Sequence, residues 1–396
     1  MTTETNSKAI KKKKVEKHSC STTDPAYNVA CYYGCHIAPK VNFDKEDLPC
    51  IKALKALEGD DAFAFAEDKA AALKSYHHES IQNLAQPVML WSEGSYAMKK
   101  SKRRIIHLDI LGTYKSIAEA TIIKTSLAIL EEEGYKNLVV QINSIGTKES
   151  MVKFQREVTN YYRKNLGSVT GTCRQIFKKD ALTAHTCALE EGDEIAAKAP
   201  QAVSFLSEES RLHFKEVLEF LETLKIDYRI SNGLVGHRGY STDTIFTIKA
   251  DDNKGGSIVV AAGSRYNQLA KKCGYKKDVP GVGITLYLPP LSKVNTRPKT
   301  LKKSKFFFIQ IGFEAKLKSL EIIEILRKEK IPLYQSISRD KLSAQLSIAE
   351  HENFPYVIIM GQKEAMEGSV LVREMNNRSQ DTVFMNQLPD YLRKIP

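Results

Sequence analysis

The chain lacks any apolar run near the roughly eighteen residues that cross a bilayer, and its first residues lack the hydrophobic core of a secretory leader. No membrane association and a cytoplasmic location are the expectations. Cysteine is sparse and irregular: seven residues at uneven spacings do not read as a disulfide framework, and reduced thiols are expected. Neither His18, Cys20, Cys31, Cys35 and His36 nor Cys173 and Cys187 match the spacing of a zinc module, so no metal is expected. The sequence also has no GxGxxG and no GxxxxGK[ST] segment, which excludes the common dinucleotide-binding and P-loop classes.

What is present is ordinary for a folded protein. Of 396 residues, 42% are apolar and 27% charged, enough for two domains with real cores. The net charge of +12 points to a polyanionic partner, nucleic acid first among them.

Residues 1–26 read as a disordered basic tail, with Lys11 to Lys14 as a run of like charge. Residues 27–290 alternate helical and extended segments. Tyr114 to Glu133 has the pattern of a long helix stopped at Gly134, and Leu138 to Ile142 that of a buried strand. Phe214, Val217, Leu218, Leu221 and Leu224 recur at helical steps behind a start at Ser207, Glu208 and Glu209. Ile245 to Lys249 and Ser257 to Ala262 flank a turn-rich stretch and predict an antiparallel hairpin. Residues 291–304, rich in lysine and proline, predict a linker. Beyond them, 305–396 predict a small α/β domain with strands Phe306 to Ile311, Tyr356 to Met360, Val370 to Arg373 and Thr382 to Phe384, and helices Ala315 to Lys330 and Asn386 to Lys394.

Several segments then carry a resemblance. LVGHRGYSTDTIFTI (Leu234 to Ile248) resembles the histidyl-tRNA synthetase signature LVRGLDYYTRTVFEI. LEEEGYKNLVVQINSIGTKES (Leu130 to Ser150), Gln201 to Ile230, AAGSRYNQLAKKCG (Ala261 to Gly274) and the tail Lys341 to Met375 are similar to family passages in the same order. The resemblance implies an α+β fold: a class II antiparallel sheet with flanking helices over 27–290, and an anticodon-binding-type α/β domain over 305–396. It also implies a homodimer, although motif 1, which builds that interface, is traceable only from Gly34 to Val41, with Pro39 for its proline.

The chemistry that the family performs on this fold needs fixed cations. Class II synthetases hold a bent ATP and neutralise its phosphates while the amino-acid carboxylate attacks the α-phosphorus, a task for arginine, with its planar and permanently charged fork. The three family arginine positions are occupied here by Ala97, Gly236 and Pro290. Losing one such donor costs roughly 10²- to 10³-fold in rate. No catalytic residue is therefore assigned, and ATP and magnesium are expected only if the chain is active. Lys99, Lys100, Lys102, Arg103 and Arg104 leave positive charge near motif 2.

In the amino-acid pocket the resemblance carries over Glu67, Asp109 and Tyr240 as ligand candidates. Lys69 stands for a threonine, Ile105 for a glutamine and Ser241 for the second tyrosine of a pair. In the small domain Arg339, Lys341 and Gln345 become RNA-binding candidates, while Ser343 replaces a family lysine. His237 with Arg238, and His77 with His78, read as ordinary polar or helix-surface residues.

Three functions compete. The favoured one is a noncatalytic synthetase-like protein that binds tRNA or another structured RNA. The second is a regulatory partner of an enzyme, by analogy with the synthetase-like subunit of ATP phosphoribosyltransferase, which generally lacks the anticodon-binding domain. The third is a divergent active histidine-tRNA ligase.

Overall fold

The computed structural model describes residues 24–395 apart from 58–65, 79–80, 82–83, 85, 99–102, 253–254, 291–303 and 336–338. The basic tail before Asp24, nearly all of the predicted linker, Phe65 and the lysines at 99, 100 and 102 lie outside the described residues.

Eight strands form the large sheet: β1 (Cys35–Ile37), β2 (Val88–Glu93), β3 (Arg104–Leu111), β4 (Val139–Ser144), β5 (Tyr228–Ile230), β6 (Thr242–Asp251), β7 (Ser257–Arg265) and β8 (Gly281–Leu288). Their order is β1-β2-β3-β8-β7-β6-β4-β5. The pairings from β2 through β4 are antiparallel, and β1 and β5 add parallel edges. The predicted hairpin is β6 with β7, longer than the sequence suggested because both strands continue into the site.

Side-chain alternation gives this sheet two faces. Ile106, Leu108 and Ile110 of β3 and Val282, Ile284 and Leu286 of β8 enter the main core, under the helix Ile117–Glu132. The opposite positions, Ile105, His107 and Asp109 on β3 and Gly283, Thr285 and Tyr287 on β8, line the other face, with register His107 to Thr285 and Asp109 to Gly283. Over that face lies the helix Ala66–Tyr76. Its Ala66 and Leu73 pack with Leu90, Leu111, Tyr240 and Tyr266.

Between β4 and β5 the chain inserts a separate helical layer. The helix Lys148–Asn165 starts where the Thr147 hydroxyl accepts from the Ser150 N–H, and it buries Phe154, Val158 and Tyr162 at four-residue steps. Further on, the helix Glu208–Thr223 begins as its sequence predicts, with Ser207 as cap and Glu208 and Glu209 in the first turn.

The small sheet runs β10-β9-β11-β12-β13, from β9 (Phe306–Gln310), β10 (Leu333–Gln335), β11 (Tyr356–Met360), β12 (Ser369–Glu374) and β13 (Gln380–Phe384). It is mixed: β9 is parallel to β10 and β11, and β11, β12 and β13 are antiparallel. The strand Leu333–Gln335 carries no clear sequence signal, whereas the helix Leu342–His351 begins where the resemblance places one, beside Arg339 and Lys341. The helix Phe313–Lys328 joins this sheet to the large one, and a continuous apolar core runs from Ile106 and Phe220 through Leu320 and Ile323 to Phe308 and Val370. At the same junction the Tyr33 hydroxyl donates to Glu324 (2.7 Å), and Arg327 donates to both Glu324 oxygens (2.8 Å each).

The cysteine expectation needs correction. Cys50 is bonded to Cys273 and Cys173 to Cys187, while Cys35 is free and buried. The first pair is separated by 223 residues, so only the fold brings it together. Cys173, Cys187 and Glu191 are the one group among the described residues whose ligand atoms lie close enough for a metal, and the two thiols are consumed by their bond.

Candidate functional site

The site is the sheet face beneath the helix Ala66–Tyr76. Three consecutive charged residues in the first turns of that helix are buried, and each has a specific partner, although one oxygen of Glu67 is left buried without a hydrogen bond. Lys69 donates to the Asp109 carboxylate at 2.7 Å, with side chains only 1% and 3% exposed. The same Asp109 oxygen accepts from the Tyr266 hydroxyl at 2.7 Å, and the Lys69 ammonium lies 5.4 Å from the centre of the Tyr266 ring. Burial and the adjacent Asp109 push the Tyr266 hydroxyl well above its ordinary pKa, so it stays a donor.

Glycine is required beneath this pair. A Cβ at Gly283 would fall 1.9 Å from Asp109 Oδ1 and 2.4 Å from Lys69 Nζ, so the ion pair fills the space against the backbone of β8. Glu67, next to it, is buried and bonded to the Lys55 ammonium. Both carboxylates carried over as ligand candidates are thus met by lysines of the chain itself. Tyr240 is buried, with its ring stacked 4.2 Å from the His237 ring and edge-on to Tyr266 at 6.4 Å.

Asp68 ties the helix to the segment after β2. It accepts from the Ser95 hydroxyl (2.7 Å) and the Tyr96 N–H (2.6 Å), while Tyr96 in turn donates to the Val41 carbonyl (2.9 Å). His107 lies 3.7 Å from Asp68. Its Nε2 faces the Gly94 carbonyl and therefore carries the proton, and Nδ1 accepts from the Thr285 hydroxyl. Burial lowers the His107 pKa and keeps the ring neutral.

Ala97, Gly236 and Pro290, the positions that the resemblance sets against family arginines, hold no cation. Ala97 follows Tyr96 and gives its N–H to the Ser95 hydroxyl. Pro290 is exposed just past the end of β8. Gly236 has φ +65, and a Cβ there would meet Ile245 Cγ2 and Ser241 Cβ at 2.9 Å, so the backbone itself is shaped against a side chain.

Remaining cations on these elements are committed elsewhere. Arg104 bonds Asp24 (2.9 Å) and Glu133. Arg265, 1% exposed, bonds Glu119 through Nε (2.6 Å) and the Thr113 carbonyl (3.0 Å). Burial would raise Glu119, but Arg265 and His213 outweigh it and hold its pKa at about 2. Arg103, exposed just before β3, lies near enough to Tyr287 on this face to favour its ionised form.

Other candidates are redistributed. Arg238 pairs with Asp180 and reaches the Thr183 hydroxyl (3.0 Å), in line with its reading as an ordinary polar residue. His77 lies past the end of its helix and stacks 4.1 Å from the Tyr275 ring, which replaces the helix-surface reading. In the small domain Lys341 is exposed and Arg339 half-buried. Gln345 requires correction: it is fully buried, donates to the Gln310 carbonyl (2.8 Å) and accepts from the Gln310 N–H (3.2 Å). Its helical position turns it toward β9, where it satisfies backbone and cannot reach RNA. Sequence reasoning did not assign Tyr266, Gly283 or His107. Tyr266 stands in the quoted AAGSRYNQL passage, whereas Gly283 carries no signal short of its register with Asp109.

Comparisons with known proteins return similar sequences and structures. Residues 305–395 match the anticodon binding domain family. The histidine-tRNA ligase of Acetivibrio thermocellus is 28% identical over 334 residues, 81% of this chain and 79% of that protein. That of Fervidobacterium nodosum is 29% identical over 277 residues, 69% of this chain and 65% of its own length. The apo histidyl-tRNA synthetase structure from S. aureus superposes with a TM-score of 0.49 at 20% identity, covering 92% of this chain and 93% of the other. Most of this chain thus aligns with histidine-tRNA ligases at under 30% identity, and its tail matches the anticodon binding domain family.

Proposed function

We propose that the chain is a synthetase-like RNA-binding protein that does not activate an amino acid, its RNA being tRNA or a structured relative. One observation carries the reading: the carboxylates that would receive a substrate ammonium, Glu67 and Asp109, are already neutralised by Lys55 and Lys69, and the Lys69 pair is sealed from solvent. A free amino acid would have to displace a covalently tethered ammonium whose effective concentration no solute matches. Ala97, Gly236 and Pro290 remove the donors that would stabilise charge at the α-phosphorus, so neither ATP nor magnesium is called for. The anticodon-binding domain and the net charge of +12 remain, and both favour an RNA partner.

Histidine-dependent pyrophosphate exchange, run beside filter binding of tRNA across a salt series, tests both halves. Background exchange with tRNA bound better than duplex DNA of equal length is the expected result. Turnover above background would overturn the noncatalytic half and favour the second reading, a divergent histidine-tRNA ligase, which the names of the aligned relatives support. RNA binding no better than DNA at every salt concentration would overturn the other half.

A further inference from the structure

Where the two sheets' domains meet, two ammonium groups converge on one carboxylate. Lys115, in the loop after β3, donates to one oxygen of Asp340, and Lys316, in the first turn of the helix Phe313–Lys328, donates to the other. Lys316 is 6% exposed and fixed, while the Asp340 side chain is 53% exposed. The cluster is short of negative charge: burial and the facing Lys115 pull the Lys316 pKa down to about 8 although Asp340 is in contact. Asp340 is also flanked in sequence by Arg339, whose Nε is buried without a partner, and by exposed Lys341.

Beside the cluster runs a groove of about 450 Å³. The Tyr114 and Phe313 side chains, 60% and 38% exposed, line it together with Glu209 and Glu216. His213, also in its lining, is taken by Glu119 (2.7 Å). Cations beside exposed aromatic faces suit an unstacked nucleotide, with phosphate on the lysines and base on a ring. The lining glutamates would repel a second phosphate.

We propose that Asp340 holds the place of an RNA phosphate at Lys115 and Lys316, and that a phosphate from an unpaired RNA segment displaces it on binding. The proposal rests on the RNA-binding reading and names where that contact is made. The carboxylate keeps the lysines poised and lowers affinity for RNA, so removing its charge strengthens binding.

The test uses the full chain, a fluorescent unpaired oligoribonucleotide and a salt series, with Asp340→Asn, Lys115→Ala, the double variant, and Glu157→Gln as a remote exposed site with the same charge change. Asp340→Asn should tighten binding about threefold to tenfold at about 50 mM salt and steepen the salt slope by about one phosphate's worth. Glu157→Gln should change little, and Lys115→Ala should cancel most of the gain in the double variant. If the wild type binds RNA but Asp340→Asn leaves affinity and slope where they were, or gains no more than Glu157→Gln, the proposal fails and the RNA-binding reading stands. If the wild type prefers no RNA over duplex DNA, both fail. Inorganic pyrophosphate that binds the Asp340→Asn variant as tightly as the oligoribonucleotide would assign the site to a small phosphorylated ligand and overturn its assignment to RNA.

Discussion

Lys69 sets the charge balance of the buried sheet face at the level of one residue. Its ammonium is removed from water only because Asp109 lies 2.7 Å away and Tyr266 supplies a further donor to that carboxylate. Such a pair is poor evidence of net stability, yet removing one partner leaves an uncompensated buried charge. Lys69→Met should therefore cost about 3–5 kcal/mol by urea unfolding, and combining it with Asp109→Leu should recover much of that loss. A single variant with unchanged stability would mean that the pair is not buried as described. The sequence announced the lysine as a departure from a threonine; that its ammonium would fill the pocket was not legible, because nothing local in a chain says which carboxylate lies forty residues away across a helix and a strand.

Elements differ in how they respond to acid. In the inserted helical layer His185 is buried, with Nδ1 at 3.0 Å from the Tyr162 hydroxyl, and burial lowers its pKa to about 4. A base whose folded pKa lies below its unfolded value near 6.5 is protonated more readily in the unfolded chain. The stability tied to its neutral form is complete above that value and is lost as pH falls toward 4, by about 1.4 kcal/mol per pH unit inside the window. His237, also lowered to about 4 by burial and then by Lys272, acts in the same direction. His213 opposes them, since Glu119 outweighs burial and raises its pKa. The expected outcome is a urea midpoint that drops between pH 6.5 and 4.5 and drops less in His185→Gln; parallel curves for the two proteins would exclude His185 as a source. The helices of this layer were partly readable from periodicity. The contact of His185 with Tyr162 was not, because it joins two helices whose relative packing no pattern specifies.

Across the whole molecule, the helix Phe313–Lys328 makes one body of two sheets. Its Glu324 is held at a pKa of about 2, the burial that would raise it being outweighed by bonds from Arg327 and Tyr33. Stability from this carboxylate is present above its ordinary pKa and is lost as pH falls toward 2. A continuous core and this junction predict a single calorimetric transition for the wild type. Glu324→Ala, which strands the Arg327 guanidinium and the Tyr33 hydroxyl, should cost about 2–4 kcal/mol and separate the two domains into distinct transitions. Two transitions already present in the wild type would contradict the continuous core.

Local pattern was enough to set the strands and most helices and to carry the resemblance, because periodicity, caps and residue identity are properties of short stretches of chain. Only the tertiary structure decided that Lys55 and Lys69 neutralise the pocket's carboxylates, that Gln345 faces inward, that Cys50 meets Cys273 and that Lys115 and Lys316 share Asp340. Those outcomes depend on distances between residues far apart in the chain, and such distances are fixed by packing and register alone.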